Sequence, residues 1–352
     1  MAAKTESGLT EEQQAIVAGL IAANAIANKK MFDATLEQVG AVIGKVKDLW
    51  FSKPATRANA RDLADIVKTS QREVAEQVEA MLDEVYDTMQ IRVLPSKRNA
   101  HVSLPRKSTL RGIDELLEWE RPARDARTLR LLGADELRAA LKAEWRAKRQ
   151  AHDDLQLARR EAERQRWGLS EDVIGYRRIL RPEQSEHGPC ALCIVASTRI
   201  YGKSDLKPMH GGCVCDVLPV TKTMDPGITL NREDLDAIYE QAGGNDRDSL
   251  IRVYGFDISQ LKADDIDFNH GELGPILVDP RYKNRTQKQT DDLAGQGLDP
   301  QRVYDAQIKL YRKFRRQRDA GNLDISEGLI AFHRETARKY AAKLGIAFDE
   351  AA

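Results

Sequence analysis

All four cysteines of this 352-residue chain, Cys190, Cys193, Cys213 and Cys215, fall within one short stretch, and His210 stands among them. Thiolate sulfur and imidazole nitrogen are the donors zinc takes, four at a time in a tetrahedron. Cys190-x-x-Cys193 is a tight turn that aims both sulfurs at one ion, and His210-x-x-Cys213 repeats that spacing with an imidazole. Positions 194 to 209 are long enough to bring the two turns together. The set preferred on spacing is Cys190, Cys193, His210 and Cys213. Cys215 is then the spare: two residues on, a strand turns it to the same side as Cys213, where it can replace it. Four protein ligands leave no open position for a catalytic water, so Zn2+ here is expected to be structural. Such an ion staples a segment too small to fold on its own core. The competing expectation is four reduced cysteines with no metal.

Enzymatic patterns are weaker. Pro189-Cys190-Ala191-Leu192-Cys193 matches half of the zinc nucleobase deaminase signature, which also needs an upstream H-x-E. The nearest stretch, His152-Asp153-Asp154, has Asp in place of Glu, and the downstream H-x-x-C-x-C has no role in that scheme. The chain has no phosphate-binding G-x-x-x-x-G-K-[ST], no H-E-x-x-H and no G-x-S-x-G. His101, His187 and His333 are expected to be surface or loop histidines. The chain is expected not to be an enzyme.

Lys+Arg and Asp+Glu both number 55, so no global field draws the chain to nucleic acid. One local run stands apart: Lys309, Arg312, Lys313, Arg315, Arg316 and Arg318, with Leu310, Tyr311 and Phe314 between them. These cations are candidates for phosphate contacts, and the aromatics are expected to face a core. No run of 18 apolar residues is evident, so no membrane span is expected. Met1–Thr10 lacks the basic and apolar regions of a secretory signal. A reducing cytoplasm is implied, where clustered cysteines serve as ligands rather than disulfides.

Residues 1–168 read as long helices. Thr10 with Gln13 forms a capping box before Ile16, Val17, Leu20 and Ile21, and Ser70 with Glu73 is expected to open another helix. The stretch from Leu94 to Arg106 reads as a loop. A second helical block runs from about Ala134 to Trp167 and carries Leu137, Leu141 and Trp145. Its segment Arg146–Arg166 is so polar that it is expected to be a solvated face, an exposed arm or one side of an interface. Residues 169–222 read as strand (Tyr176–Leu180), cysteine turn, short helix (Ile194–Ile200), loop, second ligand pair and strand (Val217–Val220). Residues 223–352 begin with short helices over Asn231–Ala242 and Asp246–Tyr254, pass turn-rich sequence, and return to helix from 300. The expected fold class is mainly α with a small α+β zinc-stapled module and long N-terminal helices.

The order Tyr176–Leu180, Cys190-x-x-Cys193, Ala196-Ser197, Tyr201, His210-x-x-Cys213-x-Cys215, Val217–Pro219 resembles the phage Mu F-like head morphogenesis proteins, minor head proteins of tailed bacteriophages, in the form found in phages of actinobacteria. The string His270-Gly271-Glu272-Leu273-Gly274-Pro275-Ile276-Leu277 is similar to members of that group too. The likeness covers residues 170–220 and 270–277, behind a long helical region. It implies a structural minor capsid protein, made in the host cytoplasm and held in the virion, inside the capsid near the portal. The implied partners are the portal and other head proteins, with copies of itself and packaged DNA as further ones and no membrane. By motif, the metal positions carry over to Cys190, Cys193, His210, Cys213 and Cys215. Gly211-Gly212 between the histidine and cysteine departs from the pattern and frees the turn. Some relatives are labelled capsid maturation proteases. Head protease and zinc-module DNA-binding protein are therefore the alternative functions.

Overall fold

The computed structural model describes residues 4–46, 52–97, 100–105, 110, 114–184, 191–203, 206, 213–244, 268–270, 274–276, 300–320 and 327–348. Helix α1 (Glu11–Val46) opens on the expected capping box: the Gln13 N–H donates to Thr10 Oγ1 at 3.2 Å, and the Thr10 N–H donates to Gln13 Oε1 at 3.0 Å. Helix α2 (Lys53–Met89) opens on Ser52, whose hydroxyl caps the Ala55 N–H, with a proline in its first turn. Ser70 does not start a helix. It lies buried in the middle of α2, accepts from the Thr35 hydroxyl at 2.8 Å and donates to the Ile66 carbonyl. An S-x-x-E pattern inside a strongly periodic run cannot outcompete the continuous helix around it.

Two short helices, α3 (Glu115–Trp119) and α4 (Arg121–Leu131), lead to α5 (Glu136–Trp167), capped by Asp135 accepting from the Arg138 N–H at 2.8 Å. Helix α5 packs on α1, α2 and α4. The expectation of a solvated charged arm over Arg146–Arg166 is overturned: Asp153, Asp154, Gln156, Arg159, Arg160, Glu163 and Arg166 are all buried. The apolar seam of this helix is made of alanine. Ala139, Ala143, Ala147 and Ala151 recur every fourth residue and are buried, while Leu137, Leu141 and Trp145 are 70%, 57% and 56% exposed. Small side chains let helix axes approach closely and keep helix propensity high.

Helix α1 also meets the length and composition of a membrane span, with an 18-residue window of mean hydropathy 1.2, against the expectation that no run would. In this fold Val17, Ile21, Ala25, Phe32, Val39 and Ile43 of α1 are buried, and the helix packs on α2 and α5.

After α5 the chain enters a three-stranded antiparallel sheet, β1 (Val173–Ile179), β2 (Ile200–Gly202) and β3 (Asp216–Thr221), in the order β2-β1-β3. Pro219 sits in β3, an edge strand, where a missing N–H costs no ladder bond. A Cβ on Gly175 would meet the Tyr201 carbonyl oxygen, so the close approach of β1 and β2 needs glycine there. Helix α6 (Ala191–Ser197) stands between β1 and β2, ending earlier than the expected Ile200 because β2 begins there. Helices α7 (Pro226–Leu230) and α8 (Arg232–Ala242) follow. The expected helix over Asp246–Tyr254 lies outside the described residues. Strands β4 (Phe268–His270) and β5 (Gly274–Ile276) pair antiparallel. Helices α9 (Pro300–Asp319) and α10 (Glu327–Leu344) form an antiparallel pair.

One apolar cluster joins helices to sheet: Val17 and Ile21 of α1, Val78, Leu82 and Val85 of α2, Ala162 and Trp167 of α5, and Val173, Tyr176, Val217 and Leu218 of the strands. A second gathers the other ends of α1, α2 and α5 with Trp119, Leu129, Val303 and Tyr340. The molecule is thus mainly α with a small sheet-bearing unit, as its sequence pattern predicts.

Candidate metal centre

The three cysteines that the structure describes come together. Cys193 lies on α6, and Cys213 and Cys215 lie on the run into β3. All three are buried, at 5%, 5% and 2% exposure, and their sulfurs lie within 4.8 Å of one another. The Sγ–Sγ separations are 3.6 Å for Cys193–Cys213 and 2.9 Å for Cys213–Cys215. Alternation along the chain turns Cys213 and Cys215 to one side, so both enter the cluster. A tetrahedral ion at ordinary zinc–sulfur distance sets sulfurs about 3.8 Å apart. The first pair already fits that spacing, and the second would open slightly. A buried three-sulfur group of this kind can bind a metal ion. Cys190, His187 and His210 lie outside the described residues.

The sulfurs sit in a bed of arginines that spacing did not reveal. Arg178, next to the end of β1 and 0% exposed, donates from Nη1 to Cys215 Sγ at 3.4 Å. Arg160 of α5 reaches the same sulfur from Nη2 at 3.8 Å, and hydrogen-bonds the Cys215 carbonyl. Its other nitrogen donates to Glu163 at 2.8 Å. Arg159 pairs with Glu163 at 3.4 Å and with Asp216, which also receives Arg181 Nε at 2.5 Å. One turn of α5 therefore brings three charged side chains to the base of β3.

These contacts settle the local electrostatics. Hydrogen bonds from Cys193 and Cys213, then the charges of Arg178 and Arg160, hold the Cys215 thiol well below its usual range despite burial. At Cys213 the bond with Cys193 works downward, but the bond with Cys215 and burial outweigh it and push the thiol up to about 12. Burial alone would lower Arg178, and the facing thiolates and Tyr176 raise it instead. Burial pulls Arg159 down to about 10, which leaves it charged at neutral pH.

Three aromatics fix the strand that carries Arg178. Tyr176 stacks on Trp167 at 5.0 Å and on Tyr201 at 5.4 Å, and the Arg178 guanidinium lies 5.7 Å from the Tyr176 ring centre. Asn231, fully buried, donates to the Arg178 carbonyl at 2.7 Å and accepts from the Leu180 N–H at 2.9 Å. On the opposite side of β1, Arg177 makes a bidentate pair with Asp225 at 2.7 Å and caps the Ser197 carbonyl at 3.0 Å, tying α6 to the sheet.

The other sequence candidates lie elsewhere. His152 meets Phe32 edge-on at 5.2 Å, and Asp153 pairs with Arg149 at 3.6 Å. His101 is exposed and bonds Glu79 at 3.0 Å. His333 is not a surface residue: it is buried, 2.6 Å from Gln307 and between Phe314 and Phe332. The basic run lies along α9. Lys309, Lys313, Arg315 and Arg316 are exposed, Arg312 and Arg318 half-buried, and Tyr311 faces the core while its hydroxyl accepts from Arg315 at 2.9 Å.

No family model matches the chain, and neither a curated protein nor a solved structure does.

Proposed function

We propose that this chain is a structural minor head protein of a tailed phage, associated with the portal inside the capsid, and that its cysteine cluster holds Zn2+. The observation that carries the proposal is the buried meeting of Cys193, Cys213 and Cys215. It falls inside the segment that resembles the Mu F-like head proteins, behind long helices of the kind that resemblance implies. The ion is zinc because sulfur-rich donor sets select it and because a closed shell calls for no redox or open coordination site. Its fourth donor comes from Cys190 or His210. The module spanning residues 169–222 acts as a stiff block on the helical body of residues 1–168, and residues 223–352 complete the chain.

A partner-binding role also draws support from the surface of α5. Leu137, Leu141 and Trp145 form an exposed stripe one helical turn apart, with Lys142 Nζ lying 4.1 Å from the Trp145 ring centre. Apolar side chains of this size in a row on a helix mark interaction surfaces. Co-expression with the portal ring tests the proposal. The intact protein is expected to co-purify with the ring, and Leu137→Ser with Trp145→Ser to weaken that association at unchanged helix content. Equal recovery with and without the ring gene contradicts it.

The exposed cations of α9 favour one second reading, a DNA contact. It predicts an affinity that falls steeply with salt and a shallower slope in Lys313→Ala with Arg316→Ala. A salt-independent or absent interaction removes it.

A further inference from the structure

The outer face of α5 has two unlike edges. Its alanine seam, Ala139 to Ala151, is spent on the helical body, and Leu137, Leu141 and Trp145 stand in a row on the other side, each more than half exposed. At 3.6 residues per turn, Arg138, Lys142 and Arg149 fall along one edge of that row. Arg138 and Arg149 are exposed, and Lys142 lies with its ammonium over the Trp145 ring. The opposite edge carries Glu144, which Lys148 neutralises at 2.7 Å, and Lys148 rests against Gly40 of α1, where even a Cβ would collide with it. Two further carboxylates of α4 and the start of α5 are also engaged. Asp125 pairs with Arg146 at 2.8 Å, and Asp135 caps α5. The apolar row is thus bordered by cations on one side and by a closed ion pair on the other.

Resting on the partner-binding role proposed above for this face, we propose that its occupant is an amphipathic helix of a partner protein, with a row of aliphatic side chains flanked by Glu or Asp. The row of Leu137, Leu141 and Trp145 is straight and about 12 Å long, the length that two turns of a second helix cover. Side chains at this spacing form a ridge that fits the groove of another helix. Charges beside such a ridge select the partner and its direction, as flanking charges do in coiled coils. Arg138 and Lys142 therefore call for carboxylates, and a partner with lysines there is repelled. Phosphates would meet the same cations, but they give leucines in a row nothing to pack on. Leu131, the last residue of α4, is 75% exposed and adds apolar surface next to the start of α5.

The test uses the intact protein and two labelled helical peptides of about 20 residues, long enough to hold a helix. Both carry the same leucine row, one flanked by Glu and the other by Lys. The unsubstituted protein is expected to bind the acidic peptide roughly 10-fold tighter than the basic one, with the gap closing as salt rises. Arg138→Glu with Lys142→Glu is expected to reverse that order, and Leu137→Ser with Trp145→Ser to lose both peptides, at unchanged helix content. No binding of the acidic peptide, equal binding of the two, or an order that survives the charge reversal overturns the proposal. So does a self-dimer, an oligonucleotide complex or binding to phosphatidylserine vesicles that Leu137→Ser with Trp145→Ser abolishes, because the face then serves another occupant. If the acidic peptide behaves as expected and the portal ring does not co-purify, the portal assignment falls alone. If the ring co-purifies and the charge reversal changes nothing, only this inference falls.

Discussion

Cys193, Cys213 and Cys215 meet because α6 and the run into β3 bring their sulfurs to one place. Arg178, Arg160, Arg159, Glu163 and Asp216 carry no motif spacing, and a charge in a sequence does not say how deep it lies. Buried ion pairs are costly to break by halves. Asp225→Ala leaves Arg177 without its bidentate partner at 2.7 Å, and should cost about 3–5 kcal/mol in denaturant unfolding. Asp225→Asn should cost less, since it retains a hydrogen-bond acceptor. His333 gives a pH signature. Burial lowers it to about 4, so the folded protein favours the neutral ring. Above about pH 6.5 neither state holds this proton. As pH falls through that value the unfolded chain takes it up first, and stability drops until the pH passes about 4. The loss is at most about 3 kcal/mol. His333→Gln should flatten the stability curve across that window relative to the unsubstituted protein; an unchanged curve would assign the slope to other groups.

At the level of elements, cap and turn chemistry is written locally, and seam chemistry is not. The Thr10–Gln13 box forms as its spacing predicts, while the same pattern at Ser70 is absorbed into α2. Helix α5 shows why. Its large apolar residues, Leu137, Leu141 and Trp145, face outward, and its buried seam is alanine. Alanine weighs little on any hydrophobicity scale, so the seam was invisible and the polar stretch beside it read as solvated. The two faces should answer oppositely to substitution. Ala143→Leu puts a large side chain where helices touch, and is expected to cost about 1–3 kcal/mol by chemical denaturation. Leu141→Ala, on the exposed face, should stay within about 0.5 kcal/mol. Similar costs at the two positions would mean that α5 is rotated from its position here.

Across the whole molecule, the sheet and the helices are not independent. Trp167 ends α5 and stacks on Tyr176 of β1, and one apolar cluster runs from Val17 through Leu82 to Leu218. A divider drawn at residue 168 on composition thus passes through a shared core. Long-range seating of this kind is set by packing, which no local pattern announces. An ion that secures the cysteine turn also secures Arg160 and with it the end of α5, so its removal should lower the melting temperature of the helices and not of the sheet alone. The most direct measurement is metal content of the intact, reduced protein with Cys193, Cys213 and Cys215 replaced by serine in turn, alongside the unsubstituted chain. About one zinc per chain is predicted in the unsubstituted protein, with loss or marked weakening in each variant. Metal-free protein whose melting curve is indifferent to added zinc and to chelator would contradict the account.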